Sequence, residues 1–124
     1  MDTSSIKIVG AGLAGCEAAW QLANKGFHVQ LYEMRPIKKT AVHHTENFCE
    51  LVCSNSFRSN DDTKNAVGQL KWELRSAHSL IMKTADKHSV PAGGALAIDR
   101  VKFSNEITKK IKAHPLIEIK HEEV

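Results

Sequence analysis

The sequence has little excess charge of either sign and no long apolar run. Its 17 basic and 14 acidic residues give a formal net charge of +3, which is compatible with an RNA partner but does not require one. No segment reaches the roughly 20 consecutive apolar residues that a membrane-spanning helix needs. We therefore expect no membrane association, whereas nucleic-acid binding stays open.

Cysteine is also scarce, with Cys16, Cys49 and Cys53 as the complete set. An odd number of cysteines does not suggest a disulfide framework. The first apolar stretch, Ile6–Val9, has the length of a strand and not that of a signal-peptide core. We therefore expect free thiols in a reducing, cytoplasmic setting.

The length and composition fit one compact domain. The chain has 124 residues, of which 42% are hydrophobic, an ordinary value for a folded soluble protein. At its front, Ile6–Val9 is rich in β-branched residues and predicts a strand, Leu13–Lys25 predicts a helix, and His28–Glu33 predicts a second strand. This order predicts a βαβ unit with parallel strands.

The rest of the chain alternates polar and periodic segments. Residues 36–63 show no lasting periodicity and predict a long loop, a length that favours a functional role. A single amphipathic helix is predicted by apolar residues at spacings of three and four, namely Val67, Leu70, Leu74, Ala77 and Ile81.

The last third of the chain predicts a break, a helix and a strand. Pro91–Gly94 breaks the chain, and a helix marked by Phe103, Ile107 and Ile111 follows, with Asp99 as its cap and an end before Pro115. Leu116–Lys120 predicts a final strand. The fold class is therefore α/β, a Rossmann-like unit whose parallel sheet is incomplete, because a Rossmann sheet takes the neighbours of its first strand from later chain.

A glycine-rich run joins the first strand to the first helix. Its spacing is G-x-G-x-x-G, and its members are Gly10, Ala11, Gly12, Leu13, Ala14 and Gly15. Such a turn brings backbone close to a pyrophosphate at a helix N-terminus. Glu33 follows 18 residues after Gly15, where an acid accepts hydrogen bonds from ribose hydroxyls and repels the extra phosphate of NADP. The run predicts a dinucleotide site.

Two features favour FAD over NAD as the dinucleotide. The glycine-rich run lies at the extreme N-terminus, as in many flavoproteins with two dinucleotide domains. Arg35 follows Glu33 in a Glu-Met-Arg run that is similar to the end of the second strand in such proteins. We therefore count Arg35 among the cofactor-binding residues.

The predicted loop of residues 36–63, named the polar loop, contains a candidate reactive thiol but a poor set of metal ligands. His43 and His44 are adjacent and diverge, and Cys49 and Cys53 lack the C-x₂-C spacing of common zinc sites, so we expect no metal. Cys53 has two interpretations: a small packing residue, or a thiol that attacks an electron-poor pyrimidine carbon, with Arg58 as a nearby cation. Gly93 and Gly94 have two as well, a close-approach loop over the cofactor or a plain turn.

Several longer motifs carry a resemblance to one family. They are Val9–Gly15 followed by Glu17–Trp20, Leu31–Pro36, Ala41–Thr45, Glu50–Ser56, Asn65–Gly68 and Ser89–Arg100. Together they resemble the opening of the folate-dependent tRNA (uracil-5-)-methyltransferases, in the same order and over nearly the whole chain.

The resemblance implies a flavoprotein that forms ribothymidine in the T loop of bacterial tRNA. Methylenetetrahydrofolate supplies the carbon, reduced FAD supplies electrons, and NAD(P)H restores the flavin. At the matching positions, the resemblance implies that Gly10, Gly12, Gly15 and Glu33 hold FAD, together with the other residues of the turn. It also implies that Gly93 and Gly94 lie near FAD and that Cys53 lies close to flavin and uracil.

The same resemblance also sets limits. Members of the family are several times longer, so residues 1–124 correspond to the N-terminal part of an FAD-binding domain, and we expect this part alone to bind FAD weakly and to catalyse nothing. Three alternatives stay open: the related flavoproteins that modify the wobble uridine of tRNA, a generic flavin oxidoreductase, and a truncated, non-enzymatic binding module.

Overall fold

A three-stranded parallel sheet forms the front of the molecule in the computed structural model, which describes residues 4–38 and 40–124. β1 (Ile6–Val9), α1 (Leu13–Asn24) and β2 (Val29–Glu33) form the expected βαβ unit. β1 pairs with β2 in parallel, and Ile8 lies opposite Leu31. The predicted bounds of these elements are correct to within one residue.

Later chain completes the other side of this sheet. The strands that follow in the order of the chain are β3 (Ser56–Ser59), β4 (Ser89–Val90), β5 (Ala95–Ile98) and β6 (Ile117–His121). The last of them, β6, pairs in parallel with β2, giving the strand order β1-β2-β6. β1 is therefore at an edge of the sheet, which agrees with the expectation of an incomplete Rossmann-like sheet.

α1 packs closely on the sheet because its inner face is made of small residues. Cys16, Ala19 and Ala23 are buried on that face. The helix ends before Gly26, whose φ of +93° is a conformation that glycine adopts without strain. Small side chains let the helix approach the strands, a requirement at a dinucleotide turn.

The region between the two halves of the parallel sheet contains a second sheet that the sequence did not predict. β3, β4 and β5 form an antiparallel sheet in the order β3-β5-β4. β3 lies within residues 36–63, where only loop was predicted, and the strands β4 and β5 flank the predicted break at Pro91–Gly94. These strands have two to four residues, too few for an alternating pattern to stand out.

The predicted single helix from Val67 to Ile81 is wrong, because the structure divides it into two. The helices of this part are α2 (Ala66–Ser76) and α3 (Leu80–Lys87). His78 has a φ of +60° and interrupts the helix, and the Ser79 hydroxyl then accepts a hydrogen bond from the Met82 N–H as the cap of α3. Apolar spacing continues across the break even though α2 leaves Leu70 and Leu74 exposed, so periodicity alone does not reveal the turn.

The last helix, α4 (Arg100–Ala113), follows the prediction. The Asp99 carboxylate caps it by accepting a hydrogen bond from the Lys102 N–H. Phe103, Ile107 and Ile111 are fully buried in the core between helices and sheet. Within the described residues, no helix is both long and apolar enough to span a bilayer.

Candidate functional site: the glycine-rich turn and its surroundings

The glycine-rich turn has the geometry that its spacing predicts. Gly10 has a φ of +96° and its N–H donates to the Tyr32 carbonyl at 2.7 Å, which ties the turn to the end of β2. A Cβ added at Gly15 would lie 1.8 Å from the Gly10 carbonyl oxygen. Only glycine fits at Gly15, because a side chain there would push α1 away from β1.

Above the turn, the start of α1 is open. A Cβ built at Gly12 meets no atom within 4 Å, and no side chain caps the helix at this end. Gly12, Leu13 and Ala14 are exposed. The first N–H groups of a helix attract an anion when no side chain occupies them, so the turn has the space and the donors that a pyrophosphate needs.

The Glu33 carboxylate lies beside this turn at the end of β2. Its Oε1 accepts a hydrogen bond from the Ala11 N–H at 3.4 Å. Its Oε2 accepts from the Arg35 Nε at 2.6 Å. The side chain is 8% exposed, so most of its surface is covered by the protein.

The buried Arg35 side chain joins the end of β2 to the polar loop. Its side chain is 2% exposed, and its Nη1 donates to the Thr45 carbonyl and to the Glu50 Oε2, both at 3.3 Å. Two carboxylates, Glu33 and Glu50, therefore surround one guanidinium. The cluster carries a net negative charge beside the turn.

Glu50 is held in its charged form by the loop around it. Burial raises the pKa of this carboxyl, but hydrogen bonds from the His44 N–H and from Thr45, together with the Arg35 charge, outweigh burial and lower the pKa overall. The His44 N–H lies 2.9 Å from the Glu50 Oε1. The His-His-Thr segment is thus attached, through Glu50 and Arg35, to the end of β2.

The polar loop also contacts the glycine-rich turn directly through Cys49, a contact that the sequence did not predict. The Cys49 N–H donates to the Ala11 carbonyl at 2.9 Å, and the Cys16 thiol donates to the same oxygen at 3.5 Å. A hydrogen bond with Cys16 and burial raise the pKa of the Cys49 thiol far above its ordinary value. Phe48, the residue before Cys49, is fully buried.

Cys53 lies in a different environment from the other two cysteines. Its side chain is exposed, in the segment between buried Leu51 and β3. The Leu51 carbonyl accepts a hydrogen bond from Arg100 at 3.2 Å, which holds this segment to the start of α4. Cys16 and Cys49 are both buried, so Cys53 is the thiol that solvent reaches.

Gly93 and Gly94 belong to the second sheet, in the turn between β4 and β5. Both are exposed, and Gly93 has a φ of +62°. The Gly94 carbonyl accepts a hydrogen bond from the Asn60 N–H at 2.9 Å. Among the residues described, no hydrogen bond joins this turn to Gly10–Gly15.

An apolar cavity of about 340 Å³ opens next to the start of α1. Leu13 and Phe57 line it together with the α2 side chains Leu70, Lys71 and others. Lys71 is buried, and its Nζ donates to the Ser59 carbonyl at 2.9 Å. Burial and the charges of Arg75 and Arg58 lower its pKa.

The histidines and cysteines of the polar loop do not gather into a metal site. In residues 4–38 and 40–124, no group of three or more His, Cys, Asp or Glu side chains is arranged to hold a metal ion. His43 instead shares a hydrogen bond of 2.6 Å with the Thr40 hydroxyl.

Comparison with known proteins gives a family match and close relatives. Residues 5–124 match the family model described as Glucose inhibited division protein A. A methylenetetrahydrofolate–tRNA-(uracil-5-)-methyltransferase TrmFO of Enterococcus faecalis is 64% identical over 122 residues, which are 98% of this chain and 28% of the relative. The enzyme of the same name from Ligilactobacillus salivarius is 62% identical over the same shares. The chain thus spans about 28% of these relatives.

A solved structure supports the fold assignment. The structure of GidA from Aquifex aeolicus superposes with a TM-score of 0.74 at 17% identity, over 97% of this chain and 20% of that one. At this identity the likeness concerns the fold alone. It agrees with an incomplete Rossmann-like unit.

Proposed function

The chain belongs to the Glucose inhibited division protein A family, and we propose that residues 1–124 form the N-terminal FAD-binding portion of a folate-dependent tRNA (uracil-5-)-methyltransferase. One observation carries the FAD site: the open, uncapped start of α1 lies beside the Glu33 carboxylate at the end of β2. The reaction comes from the names of relatives that are 57% to 64% identical to this chain. The cellular setting that we propose is the cytoplasm.

In this proposal the turn holds the FAD pyrophosphate through backbone N–H groups. The residues that take part are Gly10, Ala11, Gly12, Leu13, Ala14 and Gly15. Gly12 supports the fit, because the empty space at its Cβ position lets phosphate oxygens approach the backbone. Glu33 accepts hydrogen bonds from the ribose hydroxyls, and Arg35 holds that carboxylate in place from behind.

The charge around Glu33 supports a dinucleotide without an extra phosphate on its ribose. The two carboxylates of Glu33 and Glu50 share one guanidinium, that of Arg35, which is already bonded to both. A 2′-phosphate would therefore meet a net negative cluster with no free cation from Arg35. We propose that NAD(P)H is a co-substrate that reaches the flavin from elsewhere and does not bind at this turn.

Bound FAD supplies the electrons that reduce the carbon received from methylenetetrahydrofolate to a methyl group. Among the chain's own residues, we propose that the Cys53 thiol lies next to the reacting uracil and attacks it. The exposure of Cys53 makes its thiol accessible to the base. The Gly93–Gly94 turn lets backbone approach the flavin, because it offers no side chain to obstruct a planar ring. The tRNA is the partner that brings the uracil.

Two other functions are less well supported. A wobble-uridine-modifying flavoprotein would share the glycine-rich turn, but the relatives with 57% to 64% identity carry the name of the uracil-5-methyltransferase. A non-enzymatic binding module would not require an exposed thiol such as Cys53.

A chimeric enzyme tests this proposal. This chain replaces the matching N-terminal segment of the Enterococcus faecalis relative, and ribothymidine in tRNA is measured by mass spectrometry after incubation with methylenetetrahydrofolate and NADH or NADPH. We expect the chimera to form ribothymidine and Cys53→Ser to lower the rate about 100-fold or more. Ser54→Ala, at the neighbouring exposed position, is the matched control and should retain the rate.

Two results of that experiment would contradict different parts of the proposal. A chimera that contains FAD but forms no ribothymidine would argue against the methyltransferase. Full activity of the Cys53→Ser chimera would leave the methyltransferase standing and remove the role of Cys53.

A further inference from the structure

The helical layer contains a second cavity, away from the glycine-rich turn. It has a volume of about 510 Å³ and lies between the second half of α1, the start of α3 and the second half of α4. Trp20 and Asn24 line it from α1, Lys83 from α3 and Lys110 from α4. We refer to this cavity as the helix cleft. Nothing in the FAD site described above uses it.

The net positive charge of the chain falls within one stretch of the sequence. Residues 80–114, which comprise α3, β4, β5 and α4, contain seven basic and three acidic side chains, whereas the rest of the chain contains ten basic and eleven acidic ones. Two of these seven basic side chains, Lys83 and Lys110, line the helix cleft. Cations at a cleft attract a polyanion.

The two lysines that line the helix cleft differ in how they are held. Lys83 is exposed, and no ion pair is recorded for it among the described residues. Lys110 lies 3.3 Å from the Glu106 Oε2 and is 34% exposed. Lys87, one turn after Lys83 on α3, also pairs with Glu106. Glu106 thus orients two cations, and Lys83 is left to meet a ligand.

An arginine at the edge of the helix cleft is already neutralised. Arg75 donates to both Asp86 carboxylate oxygens at 2.8 Å and to the Asn60 Oδ1 at 2.7 Å. This bidentate pair braces α2 against α3. Arg75 is therefore engaged by Asp86, whereas Lys110 shares the Glu106 carboxylate with Lys87.

The helix cleft also offers an aromatic surface. Trp20 is half-buried, and the His114 ring packs edge-on against it with 5.5 Å between ring centroids. An indole face stacks on a nucleobase or ribose. Cations within the same cavity as a half-buried aromatic ring match the alternating phosphates and bases of a nucleic-acid strand and match an acidic peptide less well.

We propose that the helix cleft binds the backbone of an RNA strand, with phosphates at Lys83 and Lys110 and a ribose or base against Trp20. The identification of that RNA as tRNA rests on the proposed function, because the relatives are named for a tRNA substrate. The binding itself rests on the charge and shape of the cleft.

Binding of unmodified tRNA to the 124-residue chain over a series of salt concentrations tests this proposal. The variant is K83Q/K110Q, and the matched control is K64Q, which neutralises an exposed lysine outside the cleft. We expect K83Q/K110Q to weaken binding about tenfold and to reduce the slope of log K against log salt by about 1 to 2. K64Q should leave both unchanged. Equal binding by K83Q/K110Q and the unaltered chain, or no binding by the unaltered chain, would overturn the proposal.

A second readout does not depend on how the lysine variants fold. Trp20 and Trp72 are the two tryptophans of the chain, so W72F leaves Trp20 as the sole indole fluorophore. Its fluorescence should be quenched on titration with tRNA, since a base or ribose then covers the ring. Unchanged fluorescence during saturable binding would overturn the placement at Trp20, and equal quenching by polyglutamate would indicate an acidic polypeptide as the partner instead.

FAD titration of the same preparations separates this inference from the proposed function. FAD binding without tRNA binding would contradict RNA binding at the helix cleft and leave the proposed FAD site unaffected. The opposite result is an unaltered chain that binds tRNA but no FAD, with tRNA binding lost in K83Q/K110Q. It would support RNA binding at the helix cleft and contradict the FAD site.

Discussion

The parallel-sheet region and the segment between its halves differ in how their structure is encoded. In the parallel-sheet region, burial alternates along β1 and β2, and the predicted bounds of β1, α1, β2, α4 and β6 lie within a residue or two of the observed ones. Between Met34 and Ile98, single residues hold the irregular stretches: Phe48 is fully buried, and Arg35 donates to the Thr45 carbonyl. Periodic burial along an element leaves a pattern in the sequence, whereas contacts made by single residues leave little pattern.

The largest effect should come from Gly15→Ala in the parallel-sheet region. The new Cβ would lie 1.8 Å from the Gly10 carbonyl oxygen, so α1 must move from β1, at a cost of more than about 4 kcal/mol in the free energy of unfolding. A thermal melt followed by circular dichroism measures it. Gly94→Ala, where nothing lies within 4 Å of the added Cβ, is the matched control. A Gly15→Ala chain that melts like the unaltered one would show that helix and strand are not in close contact here.

Arg35→Ala should give the next largest effect, and it tests how the polar loop is attached to the end of β2. The substitution leaves Glu33 and Glu50 buried without their cation, and we expect a loss of about 3–5 kcal/mol. Urea denaturation measures the loss. Lys38→Ala removes an exposed ion pair with Glu123 and should cost less than about 1 kcal/mol. Similar losses in the two variants would mean that Arg35 does not hold the loop.

Glu17→Ala should have an intermediate effect, confined to α3. The Glu17 carboxylate accepts hydrogen bonds from the Ser79 hydroxyl and from the Leu80 and Ile81 N–H groups. It therefore satisfies the first donors of α3, and its removal should cost about 2 kcal/mol. Hydrogen exchange should accelerate at Leu80 and Ile81. Glu73→Ala, on the exposed side of α2, is the control, and equal protection of α3 in both variants would contradict the capping role.

The smallest effect concerns pH and Glu106, which joins α3 to α4. Hydrogen bonds from Lys87, opposed by burial and reinforced by His88 and Lys110, lower the pKa of Glu106 from 4.5 to about 2. Because the folded-state pKa lies below the unfolded value, this stabilisation is complete above pH 4.5 and is lost as the pH falls toward 2. Lys87 is 64% exposed, so solvent screening limits the contribution to about 1 kcal/mol. Urea denaturation at several pH values should show a shallower acid dependence for Glu106→Gln, and an unchanged dependence would contradict the assignment.

The sequence predicted most of the parallel-sheet region and part of the site. Gly10, Gly12 and Gly15 could be found because their spacing reflects one requirement, a close approach of backbone to an anion. The division of Val67–Ile81 into two helices could not, because Ser79 and His78 interrupt the backbone without interrupting the apolar spacing.

The contacts around the turn were harder to predict, for a physical reason. Cys49 contacts Ala11 through its backbone N–H, a group that every residue except proline carries, so no residue type signals the contact. Arg35 could be identified as important from the Glu-Met-Arg run, but its bonds to Thr45 and Glu50 depend on how the polar loop folds back.

The most direct test of the FAD site is a titration of the chain with FAD, followed by flavin fluorescence and by the melting temperature. Gly12→Val is the key variant, because a side chain at Gly12 meets no protein atom within 4 Å and fills the space assigned to the pyrophosphate. We expect saturable binding and a raised melting temperature for the unaltered chain, and a Gly12→Val chain that folds normally but binds no FAD. Equal FAD binding by both, or a cooperatively folded chain that binds none, would contradict the site.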